Sequence, residues 1–192
     1  MVRGMFSTPA AVLAAPPNSV RPFRGAWAAL AAAGCGWLLL GWAPGAAVGI
    51  FARIAAAIVS ALSGSPLVRV DEGWLLAGLE PRLVVSAACS ATDYFLITAT
   101  LIAWHLGRQT RRFPVAVGIA VVAALPVTWL VNAGRILVVG QVHRWVIPLF
   151  PDAYAAFLHL SAGVIVFLPA LIALNLLLEH HGHRLHFSCR RS

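Results

Sequence analysis

The chain carries one cysteine at the junction between a polar segment and an apolar run. Cys89 lies in the run Ser-Ala-Ala-Cys-Ser-Ala-Thr-Asp-Tyr-Phe, residues 86–95, and a long apolar stretch follows. Arg135 and His159 stand near the ends of two other apolar stretches. A thiolate is the attacking form of cysteine, an imidazole can take its proton and later protonate a leaving amine, and a guanidinium suits an oxyanion. Together, the three side chains fit acyl transfer through a thioester.

The composition indicates a membrane protein. With 192 residues, 60% hydrophobic and 10% charged, and a mean hydropathy of +0.86, the chain is too apolar for a soluble globular domain. Its length allows four or five membrane helices of about 20 residues each and no separate soluble domain. We therefore predict an all-α, polytopic helical bundle. The chain contains no lysine, which excludes a Ser-Lys protease and a Schiff-base enzyme.

The distribution of charge predicts the topology. Nine arginines fall at the N-terminus, around residues 108–112 and in the C-terminal tail, with Glu179 as the only acid beside them. The other five arginines alternate with five acids. One side therefore carries a net charge of about +8 and the other about zero, which the positive-inside rule assigns to the cytoplasm and the exterior. No nucleic-acid module appears, so the basic excess belongs to topology.

The first half of the chain contains a clear helix and an ambiguous one. Residues 1–25 are predicted to be a flexible cytoplasmic leader, and Ala26–Ala43 an uncleaved first helix rather than a signal peptide. Ala46–Leu62 is apolar but carries Arg53 near its middle, so we expect a helix in the outer interface or a re-entrant segment. Residues 67–79, with Asp-Glu-Gly at their centre, predict a short outer β-hairpin or a loop on the membrane.

The second half alternates apolar runs with short polar segments. Ser90–Leu106 is predicted to run inward, and Val115–Val131 to return outward with a kink at Pro126. Ile136–Ile147 is too short to span, so it should lie along the outer boundary or cap the previous helix. Ala155–Leu178 should run inward again, before a basic cytoplasmic tail over residues 179–192. The predicted membrane domain is residues 26–178.

This topology brings Cys89, Arg135 and His159 to one depth, at the outer ends of three segments. Asp93, one helical turn after Cys89, should pair with Arg135 or His159 or bond a neighbouring hydroxyl. Asn132 and Ser90 are expected to support the site, and His143 is the alternative base. The histidines of the tail, His180, His181, His183 and His186, could bind a metal, but a solvated tail is the better interpretation, so we expect no metal and no cofactor. Cys35 and Cys189 are expected to be inert.

Three blocks of sequence resemble the signature blocks of the exosortase/archaeosortase family. They are Ala-Cys-Ser at 88–90, Asn-Ala-Gly-Arg-Ile at 132–136 and Phe-Leu-His-Leu-Ser-Ala-Gly at 157–163, and the likeness covers residues 65–178. This chain is similar to the short single-domain members. One departure is Ala91, where the family usually has Gly after Cys-Ser.

The resemblance implies a multi-pass cysteine transpeptidase of the cytoplasmic (inner) membrane, with its active site on the extracytoplasmic face. It implies Cys89, Arg135 and His159 as catalytic residues. The implied partner is a membrane-anchored substrate protein with a C-terminal sorting signal: a short motif such as Pro-Glu-Pro, a membrane helix and a basic cluster. The alternative from the residues alone is a non-catalytic membrane component, such as a small transporter subunit or an export assembly factor.

Overall fold

The protein is a polytopic helical membrane protein with a small antiparallel sheet. The computed structural model describes residues 20–42, 44–79, 82–110 and 112–188. All five α-helices are long and apolar enough to cross a membrane. They are α1 (Val20–Trp42), α2 (Pro44–Ser63), α3 (Thr92–Gln109), α4 (Phe113–Trp145) and α5 (Ala155–Ser188). The strands are β1 (Leu67–Val70), β2 (Gly73–Leu76) and β3 (Leu83–Val85).

Helices α1 and α3 pack closely and antiparallel through small residues. A Cβ at Gly107 would lie 2.6 Å from that of Ala28, and one at Gly36 would lie 2.6 Å from a methyl of Leu96. Only small residues allow two membrane helices to approach so closely. The pairing of position 28 with 107 and of 36 with 96 brings the C-terminal end of α1 to the N-terminal end of α3, beside Cys89.

Helix α2 lies against the sheet. Its small residues Ala52 and Ala55 share a buried cluster with Leu76 and Val85 of the sheet, and the Arg53 guanidinium carbon lies 5.3 Å from the Trp74 ring centroid. α2 is long and apolar enough to span a membrane by length and composition, so the interfacial position of this helix stays a prediction. It is continuous, so a re-entrant reversal within it is wrong.

The predicted hairpin is confirmed, and a third strand extends it. β1 and β2 pair antiparallel through a two-residue turn, with Val70 opposite Gly73. β3 pairs antiparallel with β2, and Val85 lies opposite Trp74. The sequence prediction missed β3 because it has only three residues and follows Pro81 and Arg82. This strand leads directly into the turn that carries Cys89.

Helix α4 corrects the predicted break after Val131. It runs without interruption through the polar segment at 132–135 to Trp145 and contains Pro126. Asn132 and Ala133 are both buried, and Ala133 packs in the cluster shared by α2 and the sheet. These tertiary contacts compensate for the polar residues and Gly134, which local sequence would place at a helix end. A helix of this length measures about 50 Å, against a hydrocarbon core of about 30 Å, so it extends well beyond the bilayer core.

The two terminal helices are also longer than predicted. α1 begins at Val20, inside the predicted leader, and α5 continues to Ser188, through most of the predicted tail. The rest of the predicted leader, residues 1–19, and the end of the tail with Cys189 lie outside the described residues.

Candidate active site

Cys89 lies on a tight turn between a strand and a helix. Residues Ala87–Cys89 form one 3-10 turn after β3, in which the Cys89 amide donates to the Ser86 carbonyl at 2.9 Å. Ala91 then adopts the left-handed conformation, with φ 56° and ψ 32°, immediately before α3 begins. Cys89 therefore lies between a strand and a helix, outside the regular hydrogen-bonding pattern of both. Its side chain is half-buried.

Asn132 attaches this turn to α4. Its side-chain amide, fully buried, donates to the Cys89 carbonyl at 2.6 Å. The side-chain oxygen of Asn132, Oδ1, is buried and has no hydrogen-bond partner among the described residues. A polar side chain buried in a membrane helix is costly unless it is bonded, so this bond links the position of Cys89 to α4.

Arg135 lies one turn further along α4, in a slot on α5. Its guanidinium carbon lies 5.2 Å from the Phe167 ring centroid. A Cβ at Gly163, one turn before Phe167, would lie 3.1 Å from the Arg135 Nε. That Nε is buried without a hydrogen-bond partner among the described residues. The Phe167 ring in turn stacks on Tyr94 of α3 at 4.5 Å.

Two histidines face each other beside Arg135. His143 lies two turns after Arg135 on α4, and its ring centroid is 5.7 Å from that of His159 on α5, in an edge-to-face arrangement. The His143 Nδ1 is 3.0 Å from the Val139 carbonyl oxygen. Because a carbonyl oxygen only accepts, Nδ1 carries a proton and donates it to this oxygen, and Nε2 takes no part in the bond.

Cys89, Arg135 and the two histidines line one cavity of about 180 Å³. The polar residues that line it are Cys89, Arg82, Arg135, His143 and His159, and the rest of its wall is apolar. Within the described ranges, no carboxylate lines it. The cavity therefore combines a thiol, two imidazoles and two guanidinium groups, which is a set suited to nucleophilic attack and to stabilising negative charge.

The structure places the residues that are expected to react around one cavity and contradicts the predicted ion pair of one supporting residue, Asp93. Cys89, Arg135, His159 and the alternative base His143 all line the cavity. Asp93 is exposed, does not line the cavity, and forms no ion pair with Arg135 or His159, so the predicted pairing is wrong. The spacing rule for one helical face fails here because Cys89 precedes the helix and the left-handed Ala91 intervenes.

Ser90 supports the turn and does not line the cavity. It is buried, and its hydroxyl lies 3.5 Å from that of Thr92. The sequence interpretation missed Arg82, which it had counted only as one of the outer charges. The short run Leu-Val-Val after Arg82, rich in β-branched residues, was the available signal for a strand that places this arginine at the cavity.

Among the side chains that the structure describes, which in α5 end at His180, no group of three histidine, cysteine or acidic residues is arranged to hold a metal ion. No protein-family model, curated protein or solved structure matches this chain.

Proposed function

We propose that this protein is a membrane-embedded cysteine protease or transpeptidase of the exosortase/archaeosortase type. It cleaves the C-terminal sorting signal of exported, membrane-anchored proteins on the extracytoplasmic face of the inner membrane. The observation that carries the proposal is that Cys89, Arg135 and His159, from three separate elements, line the same small cavity.

The proposed reaction has two steps, formation of the thioester at Cys89 and attack on that thioester. His159 takes the Cys89 thiol proton as the sulfur attacks the scissile carbonyl carbon, and Arg135 stabilises the oxyanion. The intermediate collapses, the carbon–nitrogen bond breaks, and the imidazolium returns its proton to the leaving amine. Water or an acceptor amine then attacks the thioester and gives its proton to His159, which passes it back to the departing Cys89 sulfur.

The turn at Ala91 supports the resemblance on physical grounds. The family usually has glycine here, and this backbone has φ 56°, where glycine is at no steric disadvantage. An alanine tolerates the same conformation at a cost of about 1–2 kcal/mol. Ala91 therefore differs from the family's glycine in residue type but has a backbone conformation that glycine readily adopts. Gly163 of the third block has a similar explanation, because it leaves room for Arg135.

The test is cleavage of a co-expressed reporter with a Pro-Glu-Pro motif, a membrane helix and a basic cluster at its C-terminus. We expect the native chain to release a shortened reporter and Cys89→Ser to leave it intact. Cys35→Ser is the matched control, because Cys35 is exposed on α1 and does not line the cavity. Cleavage at the native rate by Cys89→Ser would refute the proposal and favour a non-catalytic membrane component.

The same reporter distinguishes the roles of His159 and His143. His159→Gln should abolish cleavage, since it removes the group that moves the proton. His143→Gln should leave measurable cleavage if His143 only lines the cavity, and the opposite pattern would make His143 the base. Labelling of Cys89 in intact cells by a membrane-impermeant maleimide tests the side of the membrane on which the cavity opens.

A further inference from the structure

β3 is an edge strand of the sheet, and its free edge borders the cavity. The strand order is β1-β2-β3, so β2 occupies one edge of β3 and no described strand occupies the other. An unpaired strand edge presents backbone N–H and C=O groups that can pair with another chain.

The register identifies which of these groups are unpaired. The Ala77 N–H donates to the Pro66 carbonyl at 2.9 Å, so odd-numbered positions of β2 face β1. The even-numbered residues Trp74 and Leu76 must then face β3, where they lie opposite Val85 and Leu83. The residue between them, Val84, therefore directs its N–H and C=O away from the sheet.

The lining of the cavity shows that it runs along this edge. Four consecutive residues, Arg82–Val85, line it. Side chains alternate between the two faces of a strand, so a cavity on one face would be lined by every second residue. A run of four consecutive residues instead indicates a space alongside the backbone. The opposite wall is provided by α4 and α5 through Arg135, Ile136, Val139, His143 and His159.

We propose that an extended segment of the substrate protein pairs with the free edge of β3 as a fourth strand. This inference rests on the proposed function. Val84 would supply one donor and one acceptor to the segment, and the turn after β3 would deliver Cys89 to a carbonyl further along it. Pairing through the backbone is independent of the substrate's side chains, which instead meet the cavity walls. The volume of about 180 Å³ is below the ~300–1,000 Å³ typical of small-molecule sites and suits a short length of chain.

The test compares two alkylating probes at Cys89. One is acetyl-Ala-Ala-Ala chloromethyl ketone, from which the sulfur displaces chloride, and the other is iodoacetamide, which is too small to use the edge. Each rate is followed by mass spectrometry at Cys89 and divided by the rate for free N-acetylcysteine. We expect the native chain to favour the tripeptide probe, and Val84→Pro to lower this preference about tenfold by removing one hydrogen-bond donor.

Val84→Pro leaves Leu83 and Val85 free to pair with β2, because proline is tolerated where the N–H points away from the sheet. Arg69→Pro is the matched control: Arg69 also faces outward, but from β1, and does not line the cavity. It should keep the native preference. Loss of preference only in Val84→Pro supports edge pairing. No preference in the native chain, or equal effects of the two prolines, overturns it.

A series of probes provides a second measurement on the native chain, in case Val84→Pro does not fold. Each tripeptide probe is N-methylated at one of its amides. Edge pairing predicts a loss of about tenfold at alternate amides only, whereas equal rates across the series overturn it. Reporter cleavage by Cys89→Ser would refute the proposed function without altering these rates. Conversely, cleavage that needs Cys89 alongside an unchanged probe preference would refute edge pairing alone.

Discussion

Gly163→Ala should slow reporter cleavage while leaving the stability of the fold nearly unchanged. The added methyl would lie 3.1 Å from the Arg135 Nε and 3.8 Å from its Cζ and Nη2. Ordinary carbon contacts lie at about 3.5–4.0 Å, so the guanidinium must retreat by roughly half an ångström. The Phe167 ring, 5.2 Å from the guanidinium carbon, limits where it can go.

The expected effect on activity exceeds the effect on folding. A misplacement of about 1 Å can cost on the order of 100-fold in rate, so half of that should slow reporter cleavage about tenfold, or ~1.4 kcal/mol of transition-state stabilisation. Alanine is favoured over glycine in a helix interior by about 1 kcal/mol, which offsets the local strain. We therefore expect the thermal midpoint in detergent to change by only a few degrees.

Gly118→Ala is the control for this prediction. Gly118 lies in the apolar part of α4, and a Cβ there would meet nothing within 4 Å. Reporter cleavage by this variant should match the native rate. If Gly163→Ala also cleaves at the native rate, then the slot on α5 does not position Arg135 for the reaction. If Gly163→Ala unfolds, the strain from the added methyl outweighs the gain in helix propensity.

Three further changes test the turn at Cys89. Ala91→Gly should raise the free energy of unfolding by up to about 1 kcal/mol, because glycine avoids the left-handed strain but costs more entropy; a loss of stability in chemical denaturation would contradict this. Asn132→Ala should lower stability by about 1–3 kcal/mol and slow cleavage, because the Cys89 carbonyl loses its donor; unchanged denaturation would show that the bond contributes little. Asp93→Asn should leave cleavage at the native rate, since Asp93 is exposed and away from the cavity, and a marked loss would restore a role for its carboxylate.

The sequence by itself determined the membrane class, the helical fold and the main candidate residues. Apolar runs of about 20 residues identify membrane helices because backbone groups in lipid must bond within their own segment. Cys89, Arg135 and His159 stood out because each lies at a junction between apolar and polar residues. Although α4 continues past Arg135, the structure places these three side chains around one cavity.

Only the tertiary structure decided how these residues are held. The continuation of α4 through Asn132 and Arg135 depends on burial against the sheet and α2, which local propensity does not report. The exclusion of Asp93 depends on the left-handed Ala91, since one residue with positive φ redirects everything after it. The third strand has only three residues, so its β-branched run is a weak signal, and its stability comes from pairing with β2. Sequence periodicity is local, whereas the slot for Arg135 and the free edge at Val84 arise from packing between distant segments.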